Sequence, residues 1–190
     1  MSDIRIYLAG PEVFLPNSVE IRQAKKDLTS AQGFIPVAPG DDDVADQPTP
    51  KQKGMAISAR DEMLMDSSDA IIANLTPYRG IAADTGTCFE LGYMSAQGKP
   101  AFAYSNEPKN HSDRVLEYYG GQVQRDASGL PRGPDGLLVE DFDMIDNLML
   151  QGGIERRGGA VVAGQAAADA MFSDLAAFVE VLKIAAARLL

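Results

Sequence analysis

Tryptophan is absent from this 190-residue chain, and cysteine and histidine occur once each, as Cys88 and His111. A lone cysteine closes no internal disulfide and builds no multi-cysteine zinc site, so the reducing cytoplasm is the simplest expected compartment. A lone imidazole leaves a multi-histidine metal centre without ligands and makes any Ser-His-Asp arrangement depend on His111; a surface loop residue is the plainer reading. Cys88 has no marked basic neighbour and reads as a small buried hydrophobe. No apolar run approaches the ~20 residues of a membrane span, and even the Ala-rich C-terminus carries Asp169, Asp174, Glu180, Lys183 and Arg188. The opening residues interleave charge with apolar side chains, so no export signal is expected. Cations are scarce: 17 Lys and Arg against 27 Asp and Glu leave a formal charge of −10. A phosphate backbone repels such a chain, which argues against a nucleic-acid polymer as partner. Nucleotide-phosphate loops are missing too, since no G-x-G-x-x-G follows a strand and Gly98-Lys99 runs into Pro100 instead of Ser or Thr.

What is present is enough apolar residue for one core, and residues 1–190 read as a single domain. Ile4–Ala9 is an apolar, β-branched run ending at Gly10-Pro11, the mark of a buried parallel strand entering a loop. Ser18–Ala31 carries a helical stripe through Ile21, Ala24, Leu28 and Ala31. Phe34–Val37 predicts a second strand, and Pro39 to Lys53, rich in Asp, Pro and Gly, a long loop. Helical spacing returns over Lys53–Met65, strand character over Asp69–Leu75, and a helix is expected over Thr87–Gln97, closed by Gly98. Ala101–Tyr104 predicts a fourth strand, Asp113–Tyr118 a short helix and Leu137–Val139 a small strand. Gly152–Gly164 reads as a flexible stretch before a long helix over Gln165–Leu190. Alternating strands and helices predict an α/β fold, a mostly parallel sheet with helices on both faces of the Rossmann/flavodoxin-like kind, with a C-terminal helical extension. Ligands of such sheets sit outside the carboxyl ends of the strands, which places Gly10–Phe14, Thr76–Asp84 and Ser105–Lys109 around one crevice.

Carboxylates are the remaining candidates for chemistry. The Asp41-Asp42-Asp43 run lacks calcium-loop spacing and reads as a solvated acidic loop. Asp84 and Glu90 flank the junction between a strand-end loop and a helix. One reading is structural: Thr87-x-x-Glu90 forms a capping box, with Asp84 a favourable charge at the helix start. The other is chemical: a carboxylate held in the first turns of a helix and aimed into the crevice is a rigid nucleophile for an oxocarbenium-like sugar. Asp61, alone, reads as a solvated charge on a helix face.

The series Ile6-Tyr7-Leu8-Ala9-Gly10-Pro11, Asp61 with Ser68-Asp69-Ala70, Asp84…Glu90-Leu91-Gly92-Tyr93…Gln97-Gly98-Lys99, and Asp146-Asn147-Leu148-Met149 resembles the nucleoside 2-deoxyribosyltransferase family. The E-L-G-Y-x-x-x-Q-G-K block is its most specific part. The resemblance implies base exchange on 2′-deoxynucleosides through a covalent deoxyribosyl-enzyme, with no metal or organic cofactor. It implies that Glu90 is the nucleophile, Tyr7 the phenol that orients it, and Asp84 with Asp61 the pair that holds the base and protonates its leaving nitrogen. It further implies substrate contacts from the Gly10, Glu12 and Phe14 loop, and a homo-oligomer in which Asn147, with Met149 behind it, reaches the sugar of a neighbouring subunit. Protonation of a poor leaving group is worth roughly 10²–10⁴ in rate, and one Asp of the pair needs a raised pKa for it. Glu90 must stay ionised, for which the helix N-terminus is expected to help. Glu12 argues for an uncharged 5′-hydroxyl over a phosphate, and transfer is preferred to hydrolysis of deoxynucleosides or their 5′-monophosphates. A non-catalytic nucleoside sensor is the alternative from another class. Helix Gln165–Leu190 is expected to pack on the sheet or on another subunit.

Overall fold

The structure, a computed structural model, describes residues 3–41 and 44–190; Asp42 and Asp43 of the acidic run lie outside them. Strands β1 (Arg5–Ala9), β2 (Ile35–Val37), β3 (Ala70–Asn74), β4 (Ala101–Ser105) and β7 (Val161–Ala163) form a parallel sheet in the order β2-β1-β3-β4-β7. The direction of winding reverses between β1 and β3. Alternation along the strands divides the core. Ile6, Leu8, Ala70, Ile72, Phe102 and Tyr104 face helices α1 (Ser18–Ala31) and α6 (Ala176–Leu189). Tyr7, Ala9, Ile71, Ala73, Ala101 and Ala103 face α2 (Pro50–Asp66), α3 (Thr85–Ala96) and α5 (Leu148–Glu155). Every residue of β3 and β4 is buried, as strands covered on both faces require.

Helix α2 starts inside the expected loop because Thr49 caps it, its hydroxyl accepting the Gln52 N–H at 3.2 Å, with Pro50 at the first helical position. Beyond β4, α4 (His111–Tyr118) leads into a hairpin of β5 (Gln124–Arg125) and β6 (Pro131–Arg132). The strand expected at Leu137–Val139 is only an isolated bridge from Leu138 to Arg132. The C-terminal part departs most from expectation. Gly152–Gly164 is ordered structure, the end of α5 followed by β7, and the long helix begins at Ala176, not Gln165. Glycine serves close approach there: a Cβ on Gly159 would stand 1.9 Å from the Ala101 carbonyl oxygen. That contact lets the chain turn against β4 and add a fifth strand. Helix α6 then buries Ala177, Phe178, Val181, Leu182 and Ala185 on the sheet, the first of its two expected docking places.

Candidate active site

Tyr7, two residues before the carboxyl end of β1, points to the α2–α3 side and is fully buried. Its hydroxyl donates to Glu90 Oε1 at 2.8 Å. The capping box expected of Thr87 and Glu90 does not form: Asp84 is the N-cap, its Oδ2 accepting the Thr87 N–H at 2.9 Å and the Thr87 hydroxyl at 3.2 Å. Glu90 is thereby released from the backbone. It lies in the second turn of α3, past the reach of the helix N-terminus, and the expected help toward ionisation is outweighed. Burial pushes its carboxyl up to about 7; the Tyr7 hydrogen bond opposes this, and the charges of Asp61, Asp84 and Glu12 add to it. The Tyr7 phenol is raised far above its ordinary value, first by burial and then by the Glu90 charge, so it remains a donor.

Asp61 sits half-buried on α2, and its carboxyl is raised by burial, with Arg60 opposing. A raised carboxyl is what the expected proton donor needs, and at Asp61 the cause is burial. The position of α2 is fixed by residues of the α3 motif. Tyr93 Oη and Gln97 Nε2 donate to Asp66 Oδ1 at 2.9 and 2.7 Å, and Lys99 Nζ donates to the Met65 and Asp66 carbonyls at 2.7 and 3.0 Å. These groups latch the C-terminus of α2 onto α3.

After β1 the chain makes a short 3-10 turn, Pro11–Phe14. Gly10 is required where it stands: a Cβ there would meet Glu12 Oε2 at 2.0 Å and the Asn74 Cβ at 2.9 Å. Glu12, expected among the substrate contacts, is buried among partners of its own chain. It is 3% exposed, and its Oε1 accepts from Lys25 Nζ at 2.8 Å, Asn74 Nδ2 at 2.9 Å and Tyr104 Oη at 3.1 Å. Burial alone would raise this carboxyl, but Lys25 and the other donors overcome it and the pKa lies below the ordinary value. Glu12 is a neutralised structural ion beneath α1, and its charge gives no ground for excluding a phosphate. Phe14 is exposed and stacks on Tyr78 of the β3–α3 loop, ring centroids 5.4 Å apart.

Arg114, which sequence reasoning did not single out, gathers three loops. Its Nε donates to the Ile81 carbonyl at 2.8 Å, Nη1 to the Lys109 carbonyl at 2.7 Å, and Nη2 to Asp146 Oδ2 at 3.2 Å. Asp146 also accepts the Ala83 N–H at 2.9 Å and the Asn147 N–H at 2.7 Å. The only hint in the sequence was Asp146 within the D-N-L-M run. Asn147 is held within its own chain: its Nδ2 donates to both Glu140 oxygens at 3.0 Å and its Oδ1 caps α5 on the Met149 N–H at 3.0 Å. Met149 is exposed. Cys88 is half-buried, its thiol pushed up to about 11 by burial and the charges of Asp146 and Asp84, the inert state expected. His111 departs from the plain loop residue expected: it opens α4, and its Nδ1 is a buried atom without a partner among the described residues.

Among the described residues no three His, Cys, Asp or Glu groups are arranged to hold a metal ion, and no helix is long and apolar enough to cross a membrane. Asp41 instead pairs with Lys26 and accepts the Ala38 N–H at 3.0 Å. A Schizosaccharomyces pombe protein designated C191.05c, described as uncharacterized, is 34% identical over 195 residues, covering 97% of this chain and 89% of its own. The structure of a 2-desoxiribosyltransferase from Leishmania mexicana is 31% identical, covering 93% of this chain and 97% of that one, with a TM-score of 0.62. A conserved Enterococcus faecalis protein, 17% identical over 97% of this chain and 99% of its own with a TM-score of 0.59, shares the fold. The family model for nucleoside 2-deoxyribosyltransferase matches residues 6–149, which include the Tyr7–Glu90 pair, Asp61, Asp84 and Asn147. On these grounds the chain belongs to the nucleoside 2-deoxyribosyltransferase family.

Proposed function

We propose that the protein transfers the 2-deoxyribosyl group between bases of 2′-deoxynucleosides through a covalent intermediate on Glu90, in nucleoside salvage. The observation that carries this reading is the 2.8 Å hydrogen bond from the buried Tyr7 phenol to the Glu90 carboxylate, which fixes Oε1 and so orients the carboxylate. The ionised Glu90 attacks C1′ as the C1′–N bond breaks, and the departing electron pair on the base nitrogen takes the proton of Asp61. Asp84 spends Oδ2 on the helix and offers Oδ1 to the base. The glycosyl ester is then opened by the nitrogen of an incoming base, whose proton returns to Asp61, and Glu90 is released. Two inversions give net retention. Gly10 keeps the β1 loop close to the sugar, and Phe14 offers a ring face to the substrate.

Asn147 and Met149 serve the sugar of a second copy of the chain, with Glu140 holding the Asn147 amide. Exposed Met55 and Met63 on α2 and Phe89 on α3, helices that pack together, support a face covered by that copy. Incubation with deoxyinosine and adenine tests the activity. Deoxyadenosine supports transfer, hypoxanthine with free deoxyribose indicates hydrolysis, and no reaction indicates a sensor. Mass spectrometry after trapping with a slow 2-fluoro-substituted substrate should put the sugar on Glu90; full exchange by Glu90→Ala refutes the mechanism. Mixing inactive Glu90→Ala with inactive Asn147→Ala restores activity only if sites are shared between subunits.

A further inference from the structure

The crevice of a doubly wound sheet opens where the strand order reverses, here between β1 and β3. Phe14 follows β1 and Tyr78 follows β3, so their stacked rings flank that opening. Phe172, in the segment before α6, backs Tyr78 edge-on at 6.2 Å. Above the rings lies Arg79, its guanidinium 4.9 Å from the Tyr78 centroid and 5.7 Å from that of Phe14. Its backbone has φ +52°, a left-handed conformation an arginine seldom adopts, imposed by a turn in which the Tyr78 N–H donates to the Ala82 carbonyl at 3.0 Å. In a chain of net charge −10 this exposed guanidinium rests on rings, and among the described residues no carboxylate pairs with it.

We infer that Arg79 reads the base: with Phe14 and Tyr78 it forms a cationic aromatic shelf at the reversal point, and its forked donors pair with O6 and N7 of a 6-oxopurine. The inference rests on the deoxyribosyl-transfer reading for the presence of a base in the crevice. Stacking on an aromatic face accepts any base, so discrimination must come from the edge. Hypoxanthine and guanine present two acceptors side by side, which the planar fork of Arg fits; adenine presents N7 beside an amino donor that opposes the guanidinium, and a 4-oxopyrimidine offers a single carbonyl there. The loop carrying Arg79 runs directly into Asp84, the acid assigned to the base, which puts the guanidinium at the base end of the substrate.

Calorimetric titration of the wild type, Arg79→Met and Arg79→Lys with deoxyinosine, deoxyadenosine and deoxyinosine 5′-monophosphate tests this, alongside base exchange, with circular dichroism to confirm folding. The wild type should bind deoxyinosine at least tenfold more tightly than deoxyadenosine, the low end of bidentate discrimination. Arg79→Met should bring the two within about twofold, and Arg79→Lys, which keeps the charge but not the fork, should also lose the preference. An unchanged ratio in Arg79→Met, or no preference in the wild type, overturns the inference. So does a gain in affinity from the 5′-phosphate that disappears in Arg79→Met, since Arg79 would then contact the phosphate. An Arg79-dependent preference in binding without base exchange upholds the edge reading while removing the transferase mechanism, and binding of none of the three overturns both.

Discussion

Replacing Glu90 by glutamine isolates the free energy stored in its carboxyl. The folded state holds this group's proton up to about pH 7, whereas the ordinary value is 4.5. Between those limits the native chain binds more protons than the unfolded one, so stability falls as pH rises. The group's contribution is complete below pH 4.5 and lost as pH passes 7. At 1.36 kcal/mol per pH unit the loss reaches about 3 kcal/mol at most, and water around a carboxylate that is not fully buried reduces it. The amide of the Glu90→Gln variant keeps an oxygen for the Tyr7 hydroxyl and cannot ionise. Urea unfolding of both proteins from pH 4.5 to 8.5 should therefore give free energies that diverge, Glu90→Gln gaining on the wild type by up to about 3 kcal/mol at the alkaline end. The nucleophile needs the opposite condition, so exchange activity of the wild type should rise through about pH 7 as stability falls. Parallel stability curves would show that burial does not hold the proton on Glu90, and activity falling across that interval would show that the anion is not the working form.

Tyr7→Phe removes a hydrogen bond to a charged acceptor, worth about 1.5–3 kcal/mol; the midpoint of the pH–rate profile should move up by about one to two units. Arg114→Met leaves Asp146 buried and unpaired, for which a loss of about 3–5 kcal/mol is expected by urea denaturation, and Asp146→Asn in the same chain should recover part of it. Lys25→Met orphans Glu12 at similar cost by urea denaturation, again partly recovered by Glu12→Gln in the same chain.

The elements from β1 to β4 are legible because their signals are local: β-branched runs between turn residues, helical stripes, and a Gly-Lys-Pro stop after α3; the β5–β6 hairpin lies in a composition that reads as loop. The C-terminal part is not legible, because glycine has two meanings. In Gly152–Gly164 it suggests flexibility, yet Gly159 is small so that backbone can pass against Ala101 and β7 can pair with β4. The start of α2 is obscured because its capping signal, Thr49-Pro50-x-Gln52, stands at the end of a loop-like composition. The reverse happened at α3, where Thr87-x-x-Glu90 matched a capping box that Asp84 pre-empts.

Side-chain partners across the sheet are beyond any local signal. Tyr7 and Tyr104 are both buried strand tyrosines, and each donates to a glutamate, Tyr7 to Glu90 and Tyr104 to Glu12. Glutamate chemistry at the two places differs because of what else arrives. Glu12 receives a lysine and an amide on the α1 face, so its charge is neutralised and its pKa falls. Glu90 receives the phenol while acids at positions 61 and 84 face it, so its charge is resisted and its pKa rises. Strand parity decides which fate applies: Tyr7 belongs to one face set and Tyr104 to the other. A one-residue slip of β1 would turn Tyr7 away from Glu90 and put an aliphatic side chain in its place. The register Tyr7↔Ile71 is thus as much a part of the site as the carboxylate, and the Tyr93, Gln97 and Lys99 latch on α2 serves the same end by holding Asp61 against that face.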